Sequence, residues 1–149
     1  MSLTIGDQAP DFNVNDQEGN PVSLSSYKGK KVVLYFYPKD NTPGCTAQAC
    51  NHRDNYEAFQ SKGYEILGVS TDSEKSHTKF IEKQSLPFTL LADTEKEIHE
   101  KYGTWVKKQM YGREYMGTAR TTFVIDEEGK IEDIIAKVKT KDHTAQILK

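Results

Sequence analysis

The sequence predicts an α/β fold: a central mixed β-sheet flanked by helices on both faces, with a small β-hairpin at the N-terminus. Three observations carry this expectation. Val32-Val33-Leu34-Tyr35-Phe36-Tyr37 is an unbroken run of β-branched and aromatic residues stopped by Pro38, the pattern of a central strand covered on both sides. Helical patterns alternate with shorter apolar runs along the rest of the chain. The length, 149 residues, is that of a single domain, taken here as 1–149.

The elements follow in order. Phe12-Asn13-Val14 and Val22-Ser23-Leu24, on either side of Gln17-Glu18-Gly19-Asn20, form the N-terminal hairpin. After the central strand, residues 45–62 set Ala49, His52, Tyr56 and Phe59 on one stripe, which predicts one long helix. Tyr64-Glu65-Ile66-Leu67-Gly68-Val69-Ser70 is a second strand. Residues 73–84 carry Phe80 and Ile81 on a helix that Leu86-Pro87 ends, and residues 94–102 form a shorter one with Gly103 as its C′ residue. Residues 104–119 contain Trp105, Tyr111 and Tyr115 without a clean period, and read as a long loop or an irregular hairpin. Thr121-Thr122-Phe123-Val124-Ile125 is a third strand. It turns through Asp126-Glu127-Glu128-Gly129 into a fourth, residues 130–135. A last helix is expected over 141–149, with Ile147 and Leu148 on its inner side.

Composition excludes several function classes. Lys and Arg total 20 against 22 Asp and Glu, a net charge of −2, so no broad phosphate-neutralising surface is expected and nucleic acid is not an expected partner. No stretch approaches the roughly 18 apolar residues of a membrane span. Residues 1–10 lack the basic and apolar regions of a secretory signal, and two cysteines do not make a disulfide scaffold. The expected setting is a reducing cytoplasm, where paired cysteines more often serve catalysis or metal binding.

The segment after the central strand is the informative one: Pro38-Lys39-Asp40-Asn41-Thr42-Pro43-Gly44-Cys45-Thr46-Ala47-Gln48-Ala49-Cys50. Thr42 suits an N-cap and Pro43 the first helical position, which puts Cys45 at N3. A helix start favours the thiolate, the nucleophilic form of a cysteine. The same residues also fit a buried structural cysteine at a helix start. Other cysteine chemistries match less well. Four residues separate Cys45 from Cys50, so there is no C-x-x-C pair, and a phosphatase loop would need Arg where Asn51 stands. Cys45, Cys50 and His52 do not complete a four-ligand zinc set, because His77, His99 and His143 are scattered and read as solvated side chains. No phosphate-binding glycine motif occurs.

The pattern Pro38-x-x-x-Thr42-x-x-Cys45 resembles the signature of the peroxiredoxins. The fuller run through Cys50 is similar to their bacterioferritin comigratory protein, or peroxiredoxin Q, branch. The resemblance extends to Gly6-Asp7-Gln8-Ala9-Pro10-Asp11-Phe12, Gly68-Val69-Ser70-Thr71-Asp72, Phe88-Thr89-Leu90-Leu91-Ala92-Asp93 and Arg120-Thr121-Thr122-Phe123-Val124-Ile125-Asp126. It implies a thioredoxin-like fold and a thiol peroxidase that needs no cofactor and no metal. It also implies roles: Cys45 as peroxidatic cysteine, Cys50 as resolving cysteine, Thr42 orienting the peroxide, Pro38 shielding the thiolate, and Arg120 steadying the thiolate and the reacting oxygens. The implied partners are a peroxide substrate and a thioredoxin-like dithiol reductant, with the chain acting as a monomer. A protein disulfide oxidoreductase and a non-catalytic thioredoxin-fold binding module are the alternatives.

Overall fold

The computed structural model describes residues 3–148. Among these residues a five-stranded mixed sheet forms the centre, in the order β5 (Thr89–Ala92), β4 (Tyr64–Ser70), β3 (Lys31–Phe36), β8 (Thr121–Ile125), β9 (Ile131–Ile135). β3, β4 and β5 run parallel, whereas β8 and β9 run antiparallel to their neighbours. Ahead of the sheet, β1 (Asn13–Asn15) and β2 (Pro21–Ser23) pair as the expected N-terminal hairpin, followed by a 3-10 turn at Leu24–Tyr27.

Alternation along β3 divides the interior in two. Val32, Leu34 and Phe36 face a core with Phe12, Leu67, Phe123, Ile98 and Tyr102, the last two from α4 (Glu97–Tyr102). Val33, Tyr35 and Tyr37 face a second core. It is closed by α1 (Pro43–Asp54), α2 (Tyr56–Ser61), α3 (Glu74–Gln84) and α5 (His143–Ile147). Helices therefore cover both faces, as the sequence predicts, and the fold is the thioredoxin-like architecture the resemblance implied. Gly68 lies where β4 passes the Tyr35 ring. A Cβ there would sit 2.7 Å from Leu90 Cδ2 and 2.9 Å from Tyr35 Oη, so only glycine fits.

The structure differs from the sequence expectations in five places. The helix expected over 45–62 is two helices, broken at Asn55, which leaves helical geometry at φ −115° and ψ 12°. β5 was not anticipated as a strand. Residues 104–119 hold a regular antiparallel pair, β6 (Trp105–Met110) and β7 (Arg113–Thr118), separate from the main sheet. Tyr111 and Gly112 join them with φ of 52° and 77°, as a tight two-residue hairpin turn requires. The last helix is short, Lys149 lies outside the described residues, and α4 begins three residues after Thr94. Ser73 caps α3 by accepting the Ser76 N–H, and Gly103 ends α4 at φ 70°.

Candidate active site

Tyr37 prolongs β3 by donating its N–H to Val69 O at 3.0 Å, and Pro38 then turns the chain out of the sheet. The loop that follows is fixed from beneath by Asp40. Its buried carboxylate accepts from Tyr37 Oη (2.6 Å) and Ser76 Oγ (2.8 Å) and lies 2.8 Å from His77 Nδ1. Its backbone N–H donates to Asp72 Oδ2 at 2.8 Å. Nε2 of His77 meets Leu91 O at 3.0 Å, which holds the ring between the loop and β5. Asn41 follows at φ 62°.

Thr42 occupies the N-cap position, but its hydroxyl caps nothing: Oγ1 donates back to Lys39 O at 2.8 Å. Only its carbonyl joins the helix, accepting from Thr46 N–H at 2.8 Å. Pro43 is N1, so Cys45 is N3 as expected, and its side chain is 2% exposed. The first-turn N–H groups have no intrahelical acceptor and point toward this end.

Arg120 reaches the same spot from the neighbouring strand. The antiparallel register pairs Phe36 with Thr121, so the residue before β8 lies beside the end of β3. Its Nη2 is 3.3 Å from Cys45 Sγ, and its Nη1 donates to Gln48 Oε1 at 2.8 Å. Gly44 makes room for it, since a Cβ there would lie 3.3 Å from Nη2. Lys108 brings a further cation near the site. Burial pushes its ammonium below the usual range, Arg120 adds to this, and Cys45 opposes it. Burial is also the main reason the Tyr35 phenol is pushed far up, with Cys45 next.

Cys45 and Arg120 are thus brought into contact, with Thr42 and Pro38 on the loop that presents them. Cys50 lies on the same continuous helix but faces elsewhere, with Sγ 3.4 Å from Gln84 Oε1 at the end of α3. Arg53, one turn on, donates to Gln84 O at 2.7 Å. Both cysteines are free thiols. Sequence reasoning missed Gln48. Its signal was its position three residues after Cys45, on the same helical face.

Three of the histidines need correction too. His77, His99 and His143 are fully buried rather than solvated, and His52, on the inner stripe, is buried as well. His99 bonds Asp93 and Thr118, and His143 bonds Thr122 and Gln146. Among the described residues no group of three or more His, Cys, Asp and Glu side chains is arranged to hold a metal ion. No described helix is long and apolar enough to cross a membrane.

A buried cysteine at a helix start, faced by an arginine on a thioredoxin-like sheet, is the arrangement of a thiol peroxidase, and comparison with known proteins agrees. Residues 5–134 match the AhpC/TSA family model, and the chain belongs to that family. It is 50% identical over 148 residues to peroxiredoxin Bcp of Bacillus subtilis, covering 99% of this chain and 94% of the relative. It is 43% identical over 146 residues to peroxiredoxin Bcp of Escherichia coli K12, covering 98% and 94%. A structure of Xanthomonas campestris peroxiredoxin Q superposes with a TM-score of 0.89 at 34% identity, covering 98% of this chain and 92% of that one. A cysteine-to-serine mutant of Xylella fastidiosa PrxQ gives 0.93 at 31%, covering 99% and 94%. Within the family the chain falls in the Bcp, or peroxiredoxin Q, branch of the peroxiredoxins, and it is a thiol-dependent peroxidase.

Proposed function

We propose that the chain reduces hydrogen peroxide and organic hydroperoxides through a Cys45 sulfenic acid and an intramolecular Cys45–Cys50 disulfide, which a thioredoxin-like dithiol protein recycles. The observation that carries this is the Arg120 guanidinium 3.3 Å from the sulfur of a cysteine at helix position N3. A solved relative, the Xanthomonas campestris bacterioferritin comigratory protein, is described by its alkyl peroxide reduction activity, which favours organic hydroperoxides as substrates here.

The Cys45 thiolate attacks the terminal peroxide oxygen in line with the O–O bond. Sulfur gains that oxygen, the O–O bond breaks, and the pair of electrons leaves on hydroxide or alkoxide, which takes up a proton. Arg120 and the first-turn N–H groups face the charge that moves onto the leaving oxygen. Thr42 has spent its donor on Lys39, so toward an incoming hydroperoxide its oxygen acts as an acceptor and holds the peroxide O–H. Pro38, half-buried at the end of β3, shields the thiolate from water. Both cysteines belong to one chain, so the cycle runs in a monomer, and a reducing cytoplasm supplies the dithiol.

The pairing requires a change of shape. Five residues apart on a regular helix, the two Cα atoms are about 8–9 Å apart, and a disulfide needs them within about 7 Å. The first turns of α1 must therefore unwind. Peroxide consumption with a thioredoxin system tests the reading. Cys45→Ser should abolish turnover, because Ser is nearly isosteric but its hydroxyl is barely acidic. Activity within about tenfold of the parent would remove Cys45 as nucleophile.

A further inference from the structure

The face that α1 turns to the sheet is poor in apolar groups: it consists of Cys45, Gln48, Ala49 and His52. Among the described residues, the buried side-chain atoms with no hydrogen-bond partner in the protein are Tyr35 Oη, Gln48 Nε2, His52 Nδ1 and His52 Nε2. Three of these belong to α1. The fourth belongs to the ring against which His52 stacks, at 4.8 Å between centroids.

His52 meets rings on its other sides as well: His143 at 5.2 Å, Phe59 at 5.7 Å and Phe88 at 6.1 Å. His143 cannot serve as a partner. Its Nε2 is taken by the Thr122 hydroxyl and its Nδ1 by Gln146 Oε1, both at 2.7 Å. The titratable groups that face His52 are thus Tyr35 from β3 and His143 from α5, while Phe59 of α2 and Phe88 ahead of β5 carry no charge. Burial, then His143, pushes the imidazole well below its ordinary value, so the ring is neutral in the folded helix.

Buried polar groups without partners raise the free energy of the state that buries them. In α1 those groups return to water when the helix unwinds. From this we infer that His52 sets the rate of disulfide closure, by keeping α1 poised to unwind once Cys45 is oxidised. The inference rests on the Cys45–Cys50 pairing proposed above. In that step the Cys50 sulfur displaces the sulfenic oxygen: an S–S bond forms, the S–O bond breaks, and water leaves with the Cys50 proton. No outside electrons are needed. His52 touches neither reacting sulfur in this account. It acts through the stability of the helix.

The test uses His52→Leu, with His52→Phe as a second variant in case one packs badly. Each fills the aromatic enclosure without polar atoms. After a stoichiometric pulse of hydrogen peroxide, quenched samples are alkylated and weighed to separate thiol, sulfenic acid and disulfide. Disulfide closure should slow about tenfold or more in both variants, because the removed desolvation penalty exceeds one decade of an equilibrium constant. The first oxidation should keep the parent's rate. Excess peroxide should carry more Cys45 on to sulfinic acid, because the sulfenic acid lives longer.

Amide exchange in the reduced parent supplies a measurement that needs no variant. Unwound His52 takes up a proton below about pH 6.5, so lowering the pH from 7.5 to 5.5 should weaken α1 protection about tenfold relative to α3, after correction for intrinsic exchange. Closure as fast in His52→Leu and His52→Phe as in the parent, or α1 protection unchanged with pH, overturns the role of His52 and leaves the disulfide intact. A parent that never loses two hydrogens on oxidation overturns the pairing itself, and this inference with it.

Discussion

Replacing Arg120 by Met keeps much of the side chain's apolar stem and removes the guanidinium. Two contacts go with it: Nη2 to Cys45 Sγ at 3.3 Å and Nη1 to Gln48 Oε1 at 2.8 Å. A hydrogen bond to a charged group contributes about 1.5–3 kcal/mol. At about 1.4 kcal/mol per decade of rate, loss of the sulfur contact in the transition state should slow the first oxidation about 10–150-fold. The second contact acts on a different step. Without Arg120 both polar atoms of Gln48 lack a partner, since Nε2 already has none. That weakens α1, so disulfide closure should be no slower than in the parent, and the two steps should separate. Rapid-quench alkylation after a hydrogen peroxide pulse at fixed pH measures both. Arg120→Lys should fall between, because a single ammonium cannot span sulfur and amide together. A first oxidation within twofold of the parent, or a closure step slowed more than the first, would refute this reasoning.

Other consequences can be checked separately. Amides across residues 42–53 should be protected in the reduced protein and lose protection in the disulfide form. Equal protection in both states would show that α1 does not unwind. Gly68→Ala forces a Cβ to within 2.7 Å of Leu90 and 2.9 Å of Tyr35. It should cost about 1–3 kcal/mol in urea unfolding, with Tm falling about 2–4 °C for each kcal/mol. An unchanged midpoint would mean the strand and ring part easily. Asp40→Asn replaces a carboxylate that accepts from Tyr37 and Ser76 and pairs with His77. An amide cannot accept at both positions, so at least one buried donor is orphaned and stability should drop by about 1–3 kcal/mol or more. Parent-like urea stability would show that the loop before α1 does not depend on this carboxylate.

The strands legible in the sequence are those whose apolar character survives without context. β3 is buried along most of its length, and β4 and β8 repeat its pattern. β5 was hidden because Thr89-Leu90-Leu91-Ala92 is four residues long, too short for periodicity to separate strand from helix. Its state is decided by pairing with β4. The β6–β7 pair was legible only as one of two readings, a long loop or an irregular hairpin, for the opposite reason. It stands apart from the main sheet, so Met110, Tyr115 and Met116 remain exposed and no apolar face forms a period. Tyr111-Gly112 was the one available signal. Position N3 for Cys45 was legible from Thr42 and Pro43, but the hydroxyl's turn toward Lys39 was not, because a cap residue identifies a site and not a rotamer. His77, His99 and His143 were misjudged because they are buried by residues from other elements: Asp40 and Leu91 around His77, Asp93 and Thr118 around His99, and Thr122 beside His143.

The two groups that meet at the sulfur are 75 residues apart in the chain. They meet only because β8 returns antiparallel beside β3, a pairing of high sequence separation that forms late relative to local helices. On a ribosome adding about 5–20 residues per second, Cys45 precedes Arg120 by roughly 4–15 seconds. For that interval the nascent chain carries its thiol without the guanidinium, at the start of a helix that follows a strand, β3, still lacking β8 as its neighbour. The proposed Cys45–Arg120 pair is therefore completed in one step, when the last fifth of the chain arrives and closes the sheet. A chain released before Arg120 would carry the cysteine without the guanidinium that contacts its sulfur.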